Sequence, residues 1–280
     1  MHKFESIMLS RTLNLLLLIA VLFSAACKNN PGKDLPSPTD GVVRIGTYNV
    51  GVFDKSGFDS TEMIAAMMKE LGVQVLSMNE LDSCNTRHPS YQIKLFSEAM
   101  GEWGYNFAPA MPYKGGAYGV GVAYSPKLKL IRESDLSLAK GDGSEPRAVA
   151  VCEFKDFVFC STHLDHRSAN AQLAQAQQIC DWAAKQYGRS RKPVIMCGDF
   201  NALPDSETIN LMKKDWTIIS PDEFTFSAKN PSKCIDYIMV YKNAAKRVEV
   251  LEAKVCKEFE TGSVSVASDH LPVYLKIRIR

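Results

Sequence analysis

The stretch "PVIMCGDFNALPDS" (193–206) constrains the fold more than any other part of the sequence. Pro193 to Cys197 suit a strand buried on both faces, and such a strand needs a layer of structure on each side. Gly198 ends the run. Asp199 and Asn201 then stand one residue apart in a Pro-bounded loop. An apolar strand that delivers a carboxylate and a carboxamide to its mouth implies a site built there on a rigid support.

The remaining segments alternate in kind. "GVVRIGTYNV" (41–50) and "VQVLSMNE" (73–80) read as strands, with "STEMIAAMMKELG" (60–72) between them as a helix capped by Ser60 and ended by Gly72. Met63, Ala66, Met67 and Glu70 follow helical spacing in it. A second helix is expected over 90–104, a Gly-rich rim loop over 111–119, and paired hairpin strands over 118–126 and 128–138. Strands over 148–154 and 157–164 flank a two-residue connection, Lys155–Asp156. A long Ser-capped helix spans 168–188, and strands over 234–241, 247–256 and 270–279 complete the set. Strands and helices alternate early and hairpins dominate later, which predicts one α/β domain over 42–280 with mixed sheets.

The first 41 residues read differently. Lys3 and Arg11 precede the apolar run "LNLLLLIAVLF" (13–23) and the small residues "SAAC" (24–27). This is the pattern of a secretory signal over 1–26, too short to span a membrane comfortably. The segment ending at Cys27 resembles a bacterial lipobox, which implies lipidation of Cys27, a flexible tether over 27–41, and export to the periplasm or cell surface as a membrane-anchored lipoprotein. Eight cysteines less Cys27 leave an odd seven. Cys152, Cys160 and Cys197 lie in apolar runs and read as buried hydrophobes, and Cys84 with Cys234 is the candidate disulfide. No Cys/His cluster has zinc spacing. The chain has 280 residues and a net charge of +2, so no global basic field draws in nucleic acid, although a local groove remains compatible with it.

One regularity runs through these elements. "TYNV" places Asn49 at a strand end, "MNELD" does so with Glu80, and "STHLD" with His163. "GDFN" brings Asp199 and Asn201, "CIDYIMV" starts a strand with Asp236, and "SDHLP" sets Asp269 and His270 before the last strand. Taken singly, Asn49 or Asn201 reads as a turn residue, Glu80 as a solvated side chain and His163 as a core histidine. Asp236 amid apolar neighbours needs a partner.

The ordered set "TYNV", "MNELD", "STHLD", "GDFNALP", "IDYIMV" and "SDHLP" resembles the endonuclease/exonuclease/phosphatase superfamily over residues 42–280. The resemblance implies a four-layer sandwich, two mixed β-sheets packed face to face with helices outside. It implies a Mg²⁺- or Mn²⁺-dependent hydrolase of phosphate esters, monomeric, with Glu80, Asn49 and Asp269 around the metal. Asp199 would bind the attacking water or a second metal, Asn201 the phosphate, and His163 the phosphate or leaving group. His270, oriented by Asp236, would be the base or a phosphate contact, and Arg147 in "EPRAVA" would meet substrate. Whether Asp199 or His270 is the base stays open. An extracellular nuclease or phosphodiesterase leads; a lipid-headgroup, inositol- or sugar-phosphate phosphatase or sphingomyelinase-like enzyme is the alternative, and a non-catalytic binding lipoprotein is the reading of another class.

Overall fold

Two strands made almost wholly of buried residues form the centre of each of two sheets. In the first sheet, β1 (Val42–Asn49) and β2 (Val75–Ser83) run parallel, linked by helix α1 (Thr61–Leu71). In the second, β7 (Val158–His163) and β8 (Val194–Asp199) run parallel, linked by α3 (Ala169–Tyr187). The computed structural model describes residues 41–280, so the signal segment, Cys27 and nearly all of the tether lie outside the described residues. None of the described helices is long and apolar enough to cross a membrane.

Antiparallel strands extend both centres. The first sheet takes β3 (Gly104–Tyr113), β4 (Gly116–Tyr124), β11 (Val248–Val255) and β12 (Val273–Ile279) in the order β11-β12-β1-β2-β4-β3. The second takes β5 (Leu130–Leu138), β6 (Arg147–Phe154), β9 (Trp216–Ile218) and β10 (Asp236–Tyr241) in the order β5-β6-β7-β8-β10-β9. The sheets pack face to face, with β1 and β2 against β7 and β8 and β4 against β6. Their interface is not purely apolar. Ser77 Oγ donates to Ser161 Oγ at 2.8 Å and accepts from Thr47 Oγ1 at 3.1 Å, so the buried hydroxyls satisfy one another.

Helices cover the outer faces. α3 buries Ala176, Ile179, Cys180 and Ala183 against Val194 and Met196 of the second sheet, with α4 (Glu207–Met212) beside it. Ser168 Oγ caps α3 by accepting from Ala171 N. α1 and α2 (Gln92–Ala99) pack together outside the first sheet, α2 against β2, β3 and β4. This is the expected four-layer sandwich of two mixed sheets.

Several local expectations fail for identifiable reasons. Segments 118–126 and 128–138 are not a hairpin: β4 belongs to the first sheet and β5 to the second, so the chain crosses between layers there. Residues 111–119 form no rim loop but the tight β3–β4 turn, with Lys114 at φ 46° and Gly115 at φ 86°. β3 tolerates Pro109 and Pro112 because it is an edge strand. Ser60 leaves the capping of α1 to Asp59, whose Oδ1 accepts from Thr61 N at 2.9 Å. The buried face of α1 carries Ile64, Ala65 and Met68 along with Met67, while Met63 and Ala66 are half-buried and Glu70 is exposed. Cys84 and Cys234 are unpaired, as are the other cysteines among the described residues.

Candidate active site

Strand register assembles the site before any side chain is considered. In the second sheet His163 pairs with Asp199 and Asp199 pairs with Asp236, so the three lie in a row across β7, β8 and β10. In the first sheet Asn49 pairs with Asn79 across β1 and β2. Glu80 follows at a break in the β2–β4 register between Met78 and Leu81, with φ 59°. Such a bulge re-aims a side chain, and Glu80 is thereby turned out of the strand toward the mouth of the sandwich. His270 arrives on the segment before β12, held by Leu271 N donating to Thr225 O at 2.7 Å.

The two rows meet at Asn49 and Asp199. Asn49 Nδ2 lies 3.1 Å from Glu80 Oε1, 3.1 Å from Asp199 Oδ2 and 3.4 Å from His270 Nε2, while its Oδ1 accepts from Gly51 N. Asp199 Oδ1 accepts from Asn201 N at 2.8 Å. Its Oδ2 lies 3.5 Å from both His163 Nε2 and His270 Nε2. On the far side of His270, Nδ1 lies 2.9 Å from Asp236 Oδ2, which also accepts from Thr225 Oγ1 at 2.6 Å. Asp236, His270 and Asp199 thus form one continuous line, and their facing atoms lie within 4.8 Å of one another.

Burial and charge set the protonation of this line. Burial opposes a charged imidazole at His270, but Asp236 and Asp199 outweigh it and raise its pKa to about 10. Burial raises the Asp199 carboxyl to about 7, with His270 acting against the rise. His163 goes the other way. Burial, reinforced by Arg147, pushes its pKa well below the ordinary value, so it is a neutral imidazole. Asn201, at φ 50°, directs Nδ2 to His163 Nε2 at 3.0 Å.

The sequence model of the Endonuclease/Exonuclease/phosphatase family matches residues 46–270. The chain belongs to that family. No curated protein matches it. Solved structures with the same fold include an endonuclease/exonuclease/phosphatase from Bacteroides vulgatus, at 17% identity and a TM-score of 0.71, covering 85% of this chain and 99% of that one. The mannosyl-6-phosphatase Bt3783 of Bacteroides thetaiotaomicron VPI-5482 is 18% identical at a TM-score of 0.69, over 84% of this chain and 99% of that one. The human Nocturnin catalytic domain with bound sulfate is 16% identical at 0.64, over 91% of this chain and 100% of that one. At these identities the likeness is one of fold.

Endonuclease/exonuclease/phosphatase enzymes are generally dependent on a divalent metal, and the residues here fit one. Glu80 Oε2 and Asp269 Oδ2 lie 3.4 and 3.1 Å from the Lys55 ammonium, so the gap between the carboxylates attracts a cation. Asp269 Oδ1 is buried without a partner. The donors are hard oxygens, which suit Mg²⁺ or Mn²⁺. Asn49, expected beside the metal, directs Nδ2 to Glu80 and Asp199.

All eight residues singled out by motif converge at this one end of the sandwich. Arg147 joins them, 2% exposed, with Nη1 3.5 Å from His163 Nδ1 and 3.2 Å from Glu145. Two residues passed unnoticed in the sequence. Asn79 Oδ1 accepts from Asp199 N at 3.0 Å and its Nδ2 donates to Thr162 O at 2.7 Å, which fixes β7 and β8 against β2. A carboxamide inside the apolar run "VLSMN" was the available signal. Thr225, which holds Asp236, had none.

Proposed function

We propose that the protein is a divalent-metal-dependent phosphoesterase that cleaves phosphate esters by attack of water. The observation that carries this reading is the buried line Asp236–His270–Asp199 ending 3.1 Å from the Asn49 amide that also holds Glu80. A fold relic would not keep a charged imidazole between two buried carboxylates, because burying such groups without a use is costly. Glu80 and Asp269 would hold the metal, which when bound neutralises phosphoryl charge and lowers the pKa of water.

The remaining roles follow from protonation. Asp199, raised to about 7, accepts a proton from the attacking water near neutral pH. His270, kept charged by Asp236, contacts a phosphoryl oxygen and stabilises the charge that develops on it. Asn201 orients the phosphate. His163 and Arg147 face the same space from β7 and β6.

Substrate choice is tested with bis-p-nitrophenyl phosphate, DNA, RNA, sphingomyelin, phosphoinositides, nucleotides and mannose 6-phosphate, each with Mg²⁺, Mn²⁺ and EDTA. An extracellular phosphodiesterase or nuclease is the leading assignment, and a preference for monoesters replaces it with a phosphatase. Turnover of none of them at any metal concentration contradicts the proposal and leaves the binding-lipoprotein reading. Glu80→Gln should lose activity about a hundredfold and recover part of it at high Mg²⁺, because it removes a ligand charge and keeps the shape. Activity loss with no metal dependence would place Glu80 outside the metal site.

Export and anchoring through Cys27 belong to the same proposal, supported by the apolar run 13–23 and the polar stretch after Cys27. Cys27→Ser should move the protein from the membrane fraction to the soluble fraction. Unchanged fractionation, with no lipid mass on the mature N-terminus, would contradict it.

A further inference from the structure

The segment after β1 is built to deliver one ammonium group. Gly51, Val52 and Phe53 all lie in the left-handed region, at φ 53°, 52° and 55°. For Val52 and Phe53 this backbone is costly, and it persists because the ends are tied down. Gly51 N donates to Asn49 Oδ1 at 3.1 Å, Ser60 N donates to Phe53 O at 2.9 Å, and Ser56 Oγ donates to Val266 O at 2.6 Å. The Lys55 side chain lies back across Gly51, where a Cβ would stand 2.1 Å from Lys55 Cε. Only glycine leaves room for that path.

The path ends between Glu80 Oε2 and Asp269 Oδ2, at 3.4 and 3.1 Å, with the Lys55 side chain 32% exposed. One monovalent cation therefore stands between the two carboxylates assigned to the metal.

We propose that Lys55 is a resident counter-ion of the Glu80–Asp269 pair that a divalent cation displaces, so that metal loading releases the Lys55 ammonium at the mouth of the site. The inference rests on the metal reading of Glu80 and Asp269. Without metal, Lys55 holds two like charges together. With metal, the carboxylates take the cation and Lys55 is released toward solvent, where it meets whatever anionic ligand enters. The arrangement lowers metal affinity, because each binding event first breaks two ion pairs.

Wild-type protein without substrate is labelled with acetic anhydride, with and without Mn²⁺ at constant ionic strength, and read peptide by peptide by mass spectrometry. Lys55 acetylation should rise several-fold with Mn²⁺ while exposed Lys229 stays constant. In calorimetric titration Lys55→Met should bind Mn²⁺ roughly fivefold more tightly than wild type, since two partly exposed ion pairs no longer compete. It should also melt lower in EDTA and gain more from metal. Unchanged Lys55 labelling, with wild-type and Lys55→Met affinities equal, overturns the role of Lys55 while leaving the metal site intact. Absence of Mn²⁺ binding by both proteins overturns the metal reading itself. Lys55→Gln repeats the titration if the Met variant does not fold.

Discussion

Asp199→Asn should fold, retain metal binding and turn over phosphate ester about a thousandfold more slowly. Asp199 Oδ2 is where Asn49, His163 and His270 converge, at 3.1, 3.5 and 3.5 Å. Burial holds its pKa near 7, where a carboxylate can take a proton from water at neutral pH and give it up again. Asparagine keeps the shape, and its carbonyl can still accept from Asn201 N, but it cannot accept a proton. A loss of this size is typical of a removed general base. The measurement is kcat at saturating substrate with Mg²⁺ titrated in both proteins, alongside thermal midpoints. A near-native kcat would move the base elsewhere.

Asp236→Asn and His270→Ala should each lower kcat by about a hundredfold or more, and the double variant should be little worse than the poorer single one. The two side chains are 34 positions apart in sequence and meet at 2.9 Å in the structure. Asp236 is the largest of the carboxylate influences that keep His270 charged, so removing either partner removes the same charged donor. Manganese affinity should hardly change, because neither residue is assigned to the metal. The check is a double-mutant cycle in kcat, with metal binding measured in each variant. Fully additive losses would make the pair structural.

Much of this site was visible in the sequence because strands advertise their ends. "VIMCGD" and "VFCSTH" begin as apolar runs, and the Asp199 and His163 that close them stand at the strand ends, at the mouth of the sandwich. Asp236 was visible for the opposite reason, as a charge inside an apolar strand. What stayed hidden depends on contacts between distant segments. β3 carries two prolines and only one fully buried residue, Ala108, so its period is too weak to read. β9 has three residues and exists because β10 pairs with it. The β4–β5 junction looks like a hairpin in sequence, and only the register shows a crossing from one sheet to the other. Lys55 reads as an ordinary surface lysine until Glu80 and Asp269 are placed on either side of it.

The chemistry at this end of the sandwich is tested most directly by a single metal titration. Purified protein is stripped with EDTA, dialysed, and assayed on bis-p-nitrophenyl phosphate and on the best substrate of the panel while Mg²⁺ or Mn²⁺ is added back. Turnover should be absent without metal, should rise with metal to saturation, and should stay at least a hundredfold lower throughout in Asp199→Asn. Turnover that persists undiminished in the stripped protein, or that is equal in wild type and Asp199→Asn at every metal concentration, would contradict the account.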